Sequence, residues 1–174
     1  MKKIILTLLA LAIIGVGALF MINGKDNYDP TKYSVTATDG IKIGSKLSLT
    51  LPDQFDKPHR LEDDTQKVIF VFAKSTGHTV KSFLKKQDKD YLEKRHALFV
   101  ADISPMPTVI RNTFALPDLR KSPYSVLLIY DEAIANTLKK GAKTDMIAVA
   151  ELENKTIKNV HFLSTEEELK ATLN

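Results

Sequence analysis

The segment Val68–Leu84 constrains the fold more than any other part of the chain. Its first half, Val68–Ala73, is an unbroken apolar run. Such a run, without polar alternation, is the pattern of a strand covered on both faces. The polar residues Lys74–Thr79 follow, with Gly77 among them, and Val80, Phe83 and Leu84 then stand at helical spacing. The segment predicts a buried strand over Val68–Lys74, a sharp turn at Gly77, and a helix from Thr79 to about Gln87. The turn then lies at the carboxyl edge of a sheet, where open α/β folds place their ligands. Ser75, Thr76, Gly77, His78 and Thr79 are the first residues to ask about function.

The rest of the chain extends this pattern. Leu47, Leu49 and Leu51 alternate with polar residues, and Asp53–Pro58 reads as a turn, so Ile41–Leu61 predicts a hairpin or two short strands. Ala97–Ala101 and Ser125–Tyr130 are two further buried strands. Between them, Pro107 suits the first position of a helix over about Thr108–Leu116. Val109, Ile110, Thr113 and Phe114 share one face of that helix, and Pro117 is expected to end it. Glu132–Lys140 predicts a short helix stopped by Gly141. Met146–Leu152 and Thr156–Leu163 read as strands joined by a turn at Glu153–Lys155. Ser164, with Glu167 three residues on, reads as the cap of a last helix whose apolar side is Leu169 and Leu173. Alternating strands and helices predict an α/β domain with a mainly parallel sheet covered on both faces, made mixed by the closing strand pair.

Before this domain stands a different kind of sequence. Ile4–Ile22 carries no charge over 19 residues and follows Lys2 and Lys3. That is close to the ~20 residues a membrane-spanning helix needs. A secretory signal with its cleavage site near Val16–Ala18 is the alternative. The basic start would leave the amino end of an uncleaved anchor in the cytoplasm and place the rest across the membrane. Residues 1–24 are therefore an expected anchor or signal, 25–40 a polar linker, and 41–174 the domain. The 174 residues carry a formal charge of +4. Without Lys2 and Lys3 the basic count is 25 − 2 = 23 against 21 acidic residues, or +2. A balance so near neutral leaves no electrostatic footprint for nucleic acid. There is no cysteine, which rules out disulfides, thiolate metal sites and thiol catalysis.

The element order and several local phrases resemble the thioredoxin-like superfamily, closest to its peroxiredoxin branch and to the related thiol-disulfide proteins of the bacterial envelope. Ile43–Gly44, Leu51–Asp53 and Lys57–Pro58 resemble the opening hairpin of that group, with Asp56 where a glycine is usual. Val68–Ala73 resembles the strand before its active site, and Val100–Ser104 its second core strand. The resemblance implies a three-layer α/β/α sandwich with a mixed central sheet over about Ile41–Leu173. It also places the lost chemistry. The two cysteines of a Cys-x-x-Cys motif would fall on Thr76 and Thr79. In the other register, the peroxidatic cysteine would fall near Val80 and its preceding proline on Ala73. Lys143, Thr144 and Asp145 stand where the arginine that activates that thiol would be. Pro123, ahead of a strand, resembles the cis-proline of the thioredoxin placement; a trans loop proline is the alternative.

A thiolate attacks peroxide or disulfide because it is polarisable and ionised near neutral pH. A threonine hydroxyl is neither, and becomes a nucleophile only beside an activating base. Peroxidase and disulfide-exchange activity are therefore not expected. No pair among His59, His78, His96 and His161 has metal-ligand spacing, and the seven glycines form neither a dinucleotide fingerprint nor a phosphate loop, so no metal or cofactor is implied. Asp102 and Ser104 stand at a strand's carboxyl end, and with His78 and Thr76 they offer one candidate edge for non-thiol chemistry. No nucleophile-elbow pattern accompanies them. The expected role is a redox-inactive envelope module binding a protein or peptide, with Thr76, His78, Asp102, Ser104 and Pro123 as candidate binding residues. An enzyme of another class, or a protein acting with a partner's cysteines, are the alternatives.

Overall fold

A computed structural model describes residues 2–26 and 28–174, without the side chains of Lys2, Lys3, Leu6 and Leu19. At its centre is a mixed five-stranded sheet in the order β6-β5-β4-β7-β8. β4 (Lys67–Val71), β5 (Ala97–Asp102) and β6 (Leu127–Ile129) are parallel, and β7 (Ile147–Glu153) and β8 (Thr156–Leu163) add the antiparallel edge. The β7–β8 turn is tight because Asn154 and Lys155 both take left-handed backbone, with φ 49 and 60, the geometry of a two-residue hairpin.

Side-chain alternation along β4 builds two cores. Ile69 and Val71 point to one face, where they meet Val80, Phe83 and Leu84 of α2 (Lys74–Leu84) and Leu169 and Leu173 of α6 (Glu166–Leu173). Val68 and Phe70 point to the other, against Ala135 and Leu138 of α5 (Glu132–Lys139) and against Leu47, Leu49 and Leu51. Those three leucines belong to β2 (Leu47–Pro52), the middle strand of a small antiparallel sheet with β1 (Ser34–Ala37) and β3 (Pro58–Arg60). The expected three layers are present. One outer layer is shared between a helix and a three-stranded sheet, because the leucines at every second position of β2 supply an apolar face of their own.

Several local expectations need correction. Gly77 is not a turn. Ala73 is the last extended residue, Gly77 N–H already donates to the Ala73 carbonyl at 3.0 Å, and α2 runs from Lys74 through Gly77. Pro117 does not end its helix. α3 (Thr108–Ile110) passes into a π-helical stretch over Arg111–Ala115 and then α4 (Leu116–Leu119). A proline lacks the N–H of an α-helical bond and crowds the preceding turn; here the wider π turn stands immediately ahead of it. Thr165 rather than Ser164 caps α6. Its hydroxyl accepts from Glu168 N–H at 3.2 Å, and the Glu168 carboxylate accepts from Thr165 N–H at 3.1 Å. No cis peptide bond occurs among the described residues, so Pro123 is trans.

The segment expected as a linker is structured at its described residues, Asn27 lying outside them. Val35 and Ala37 alternate against the second core, giving β1 its place beside β2. Tyr28 stacks between Tyr33 and Tyr130, with centroids 5.5 and 4.7 Å away. Buried Arg111 lies over the Tyr130 ring at 4.8 Å and pairs with Asp26. Upstream, α1 (Lys2–Asn23) carries the uncharged run. Asn112 donates to the carbonyls of Asn23 and Lys25, both at 2.9 Å, fastening the end of α1 to the π stretch. Among the described residues, no helix is long and apolar enough to cross a membrane; the Leu6 and Leu19 side chains of the uncharged run lie outside them.

Candidate functional site

The carboxyl ends of β4 and β5 open between α2 and the α3–α4 segment. A groove of about 380 Å³ lies there. Val71, Phe99, Ala101, Met106, Leu119 and Val126 form its apolar lining, and Gly77 contributes from α2. Ile110 and Phe114 border it and are 47% and 63% exposed. They belong to the apolar face read from the sequence and leave apolar surface open to solvent beside the groove. A concave, mostly apolar cleft with a few polar groups at its mouth is the usual form of a binding site.

The polar mouth is made by Lys74, His78 and Lys81 on α2 and Asp118 on α4. Lys81 pairs with Asp118 across the groove. That hydrogen bond is the main cause holding the Asp118 carboxyl below its ordinary range, with the charges of Lys121 and Lys85 acting in the same direction. The His78 side chain is exposed, and among the described residues it has no hydrogen bond or ion pair. Deeper in, Tyr124 is buried, and burial pushes its phenol upward.

The groove therefore contains part of the expected site and separates the rest. Thr76 and Thr79 turn their hydroxyls back to their own helix, donating to the Ala73 carbonyl at 2.9 Å and the Ser75 carbonyl at 3.2 Å. Such back-bonding uses the hydroxyl proton within the helix. Ser75 is exposed and Val80 is sealed in the core. Asp102 ends β5 one residue past Ala101. Since Ala101 packs on the α2 side, the pleat turns the Asp102 side chain to the opposite side of the sheet. There its carboxylate, with no exposed surface, sits 2.7 Å from Lys139 Nζ of α5. It also accepts from Ser104 N–H at 2.9 Å and from Ser104 Oγ at 2.6 Å. His78 and the Asp102–Ser104 pair thus belong to opposite faces, and the expected four-residue edge does not assemble. Pro123 is exposed in the segment entering β6, outside the groove lining.

Two features escaped the sequence reading. Gln54 is buried, donating through Nε2 to the Tyr124 carbonyl and accepting at Oε1 from Val126 N–H, both at 2.8 Å. Its amide stands in for a neighbouring strand at the edge next to β6. Asp53, also buried, accepts from Phe55 N–H at 2.7 Å and Lys57 N–H at 3.0 Å and pairs with His59 at 3.0 Å. The Asp-x-x-x-Lys-Pro turn signal pointed to the loop but gave no sign of how deeply its first two residues are buried.

The strand order and the two covered faces define a three-layer α/β protein with a groove at the carboxyl ends of β4 and β5. Among known proteins the chain finds likeness only. No family model matches the chain, and no curated protein matches it. Similar solved structures include StoA from Bacillus subtilis, 14% identical, covering 73% of this chain and 96% of that one at a TM-score of 0.47. A thioredoxin-like protein from Porphyromonas gingivalis is 18% identical over 71% of this chain and 86% of its own, with a TM-score of 0.46. A peroxiredoxin-like protein from Aquifex aeolicus is 12% identical over 80% and 90%, with a TM-score of 0.49. At these scores the likeness carries no argument about activity, and the fold rests on the topology given above.

Proposed function

We propose that the chain is a redox-inactive thioredoxin-like protein of the bacterial envelope that holds a protein or peptide partner in the groove between α2 and α3–α4. The observation that carries this reading is the groove itself. At the edge where the resemblance puts sulfur chemistry, the side chains are a glycine, two self-bonded threonines, an exposed histidine and a sealed valine, beside exposed Ile110 and Phe114. Cysteine is absent from the whole sequence, so neither thiol-dependent peroxide reduction nor disulfide exchange has an attacking thiolate in this chain. The enzyme reading at His78, Asp102 and Ser104 loses its support, because a general base must lie within hydrogen-bond reach of its partner.

Export and anchoring are part of the same proposal and rest on the sequence. Ile4–Ile22 offers 19 uncharged residues after two lysines, and an anchor of that kind leaves the domain on the outer side. The test is a photo-crosslinking residue in place of Phe114 in the full chain, expressed in cells and activated in the envelope. The expected result is a discrete protein adduct that disappears when Gly77→Phe fills the groove. Adducts that persist unchanged with the groove filled refute the site. Fractionation of the same cells checks the compartment.

A further inference from the structure

We propose that the partner segment is acidic as well as apolar: one large apolar side chain enters the groove while flanking carboxylates meet the lysines at its mouth. This rests on the groove being the binding site, and it adds the chemistry of the occupant. The charges facing the mouth are unequal. α2 presents Lys74 at its first position and then Lys81 at the lining, and Lys85 caps its carboxyl end outside the lining. α4 adds Asp118 to the lining, and the charges of Lys85 and Lys121 act on that carboxylate from beyond the rim. Asp118 is the one carboxylate whose side chain faces this opening among the described residues, and Lys81 already pairs with it. The other acid at the lining, Asp102, is turned through the sheet to Lys139 and contributes no exposed charge. Glu166 of α6 is taken by Lys86 at 2.6 Å. Among the described residues, Lys74 therefore borders the apolar floor without an ion-pair partner, and exposed Lys85 and Lys121 stand beyond the rim with their charges felt at Asp118.

Like charge next to an apolar anchor repels one class of segment and attracts the other, and rim charges of this kind act on choice of partner and on salt dependence more than on raw affinity. A nucleic acid would satisfy the lysines but leave the floor empty. A neutral apolar segment would fill the floor and leave the lysines unused. An extended peptide with carboxylates on either side of a leucine or phenylalanine uses both.

The experiment measures fluorescence anisotropy of three labelled synthetic peptides against the full chain in zwitterionic nanodiscs. Each has a central phenylalanine, flanked on both sides by two glutamates, two glutamines or two lysines. The expected order is glutamate, then glutamine, then lysine, with about tenfold between the extremes at low salt and a narrowing gap as salt screens the rim. Lys74→Glu with Lys85→Glu, both exposed positions, is expected to reverse the order, and Gly77→Phe to abolish binding of all three. Equal binding of the three peptides, or an order unchanged by the charge reversal, overturns the inference while leaving the groove reading in place. Binding of decanoate that displaces the glutamate peptide from wild type and is itself blocked by Gly77→Phe overturns it in favour of an anionic amphiphile. No binding by any peptide also overturns it, and the groove reading falls with it if the crosslinker at Phe114 gives no adduct.

Discussion

Replacing Gly77 by alanine is expected to stabilise the protein. Glycine in a helix interior costs about 1 kcal/mol relative to alanine, because its unfolded backbone has more freedom to lose. The gain is realised only if the native backbone is helical and the new methyl has room. Both conditions hold. Gly77 lies within α2 and is absent from the left-handed residues. A Cβ built on it meets only Val71 Cγ2, at 3.8 Å, an ordinary van der Waals distance. Because Gly77 lines the groove rather than the packed core, the methyl gains only part of a buried methyl's transfer energy. The sum is about 0.5–1 kcal/mol. For a chain of this size that is roughly 1–4 °C in Tm. Thermal melts followed by far-ultraviolet circular dichroism, with urea titrations to check that the slope is unchanged, measure it. A loss of stability of similar size refutes the reasoning, since it would mean that residue 77 needs a backbone only glycine takes, as the turn expected from the sequence would.

Two further predictions test the buried charge and the tyrosine ladder. Lys139→Ala leaves the Asp102 carboxylate, which has no exposed surface, with only the Ser104 hydrogen bonds; a loss of about 3 kcal/mol is expected in urea unfolding, recovered in large part by Asp102→Asn in the same chain. Tyr130 is pushed up to about 12 from 10.0, first by burial and further by Asp56, with Arg111 opposing. The folded state thus holds its phenolic proton when the unfolded chain has lost it, so this contribution to stability is intact below pH 10 and is lost as pH rises from 10 towards about 12. Tyr130→Phe is expected to flatten that decline in equilibrium unfolding measured across the alkaline range.

What the sequence made legible was burial with a local pattern. Val68–Ala73 and Ala97–Ala101 reported their strands as unbroken apolar runs, and Leu169 with Leu173 reported the seam of α6 by its helical spacing, because each signal lies within one element. Start and stop signals were less legible. Gly77 and Pro117 carry strong local preferences, and each was overridden where the surrounding helix continued through it. The tether expected at residues 25–40 failed for another reason. Its structure comes from long-range partners, Arg111 for Asp26 and Tyr130 for Tyr28, and no local period announces such pairs.

The candidate site shows the same limit in sharper form. Thr76, His78, Asp102 and Ser104 are the right residue types at the right sheet edge, yet the edge has two sides. Counting along β5 from Phe99, which packs with α2, through Ala101 on the same side, already assigns Asp102 to the other. The alternation along β5 alone sets Asp102 opposite Ala101, and with Ala101 packed beside α2 it separates the pair at Asp102 from His78 more decisively than any distance. Gly77 can be argued in the same way. A residue that costs helix stability where a side chain has room is explained by the space that side chain would occupy. At residue 77 that space is the groove between α2 and α3–α4. A larger side chain there is accordingly expected to be tolerated by the fold and felt by whatever binds.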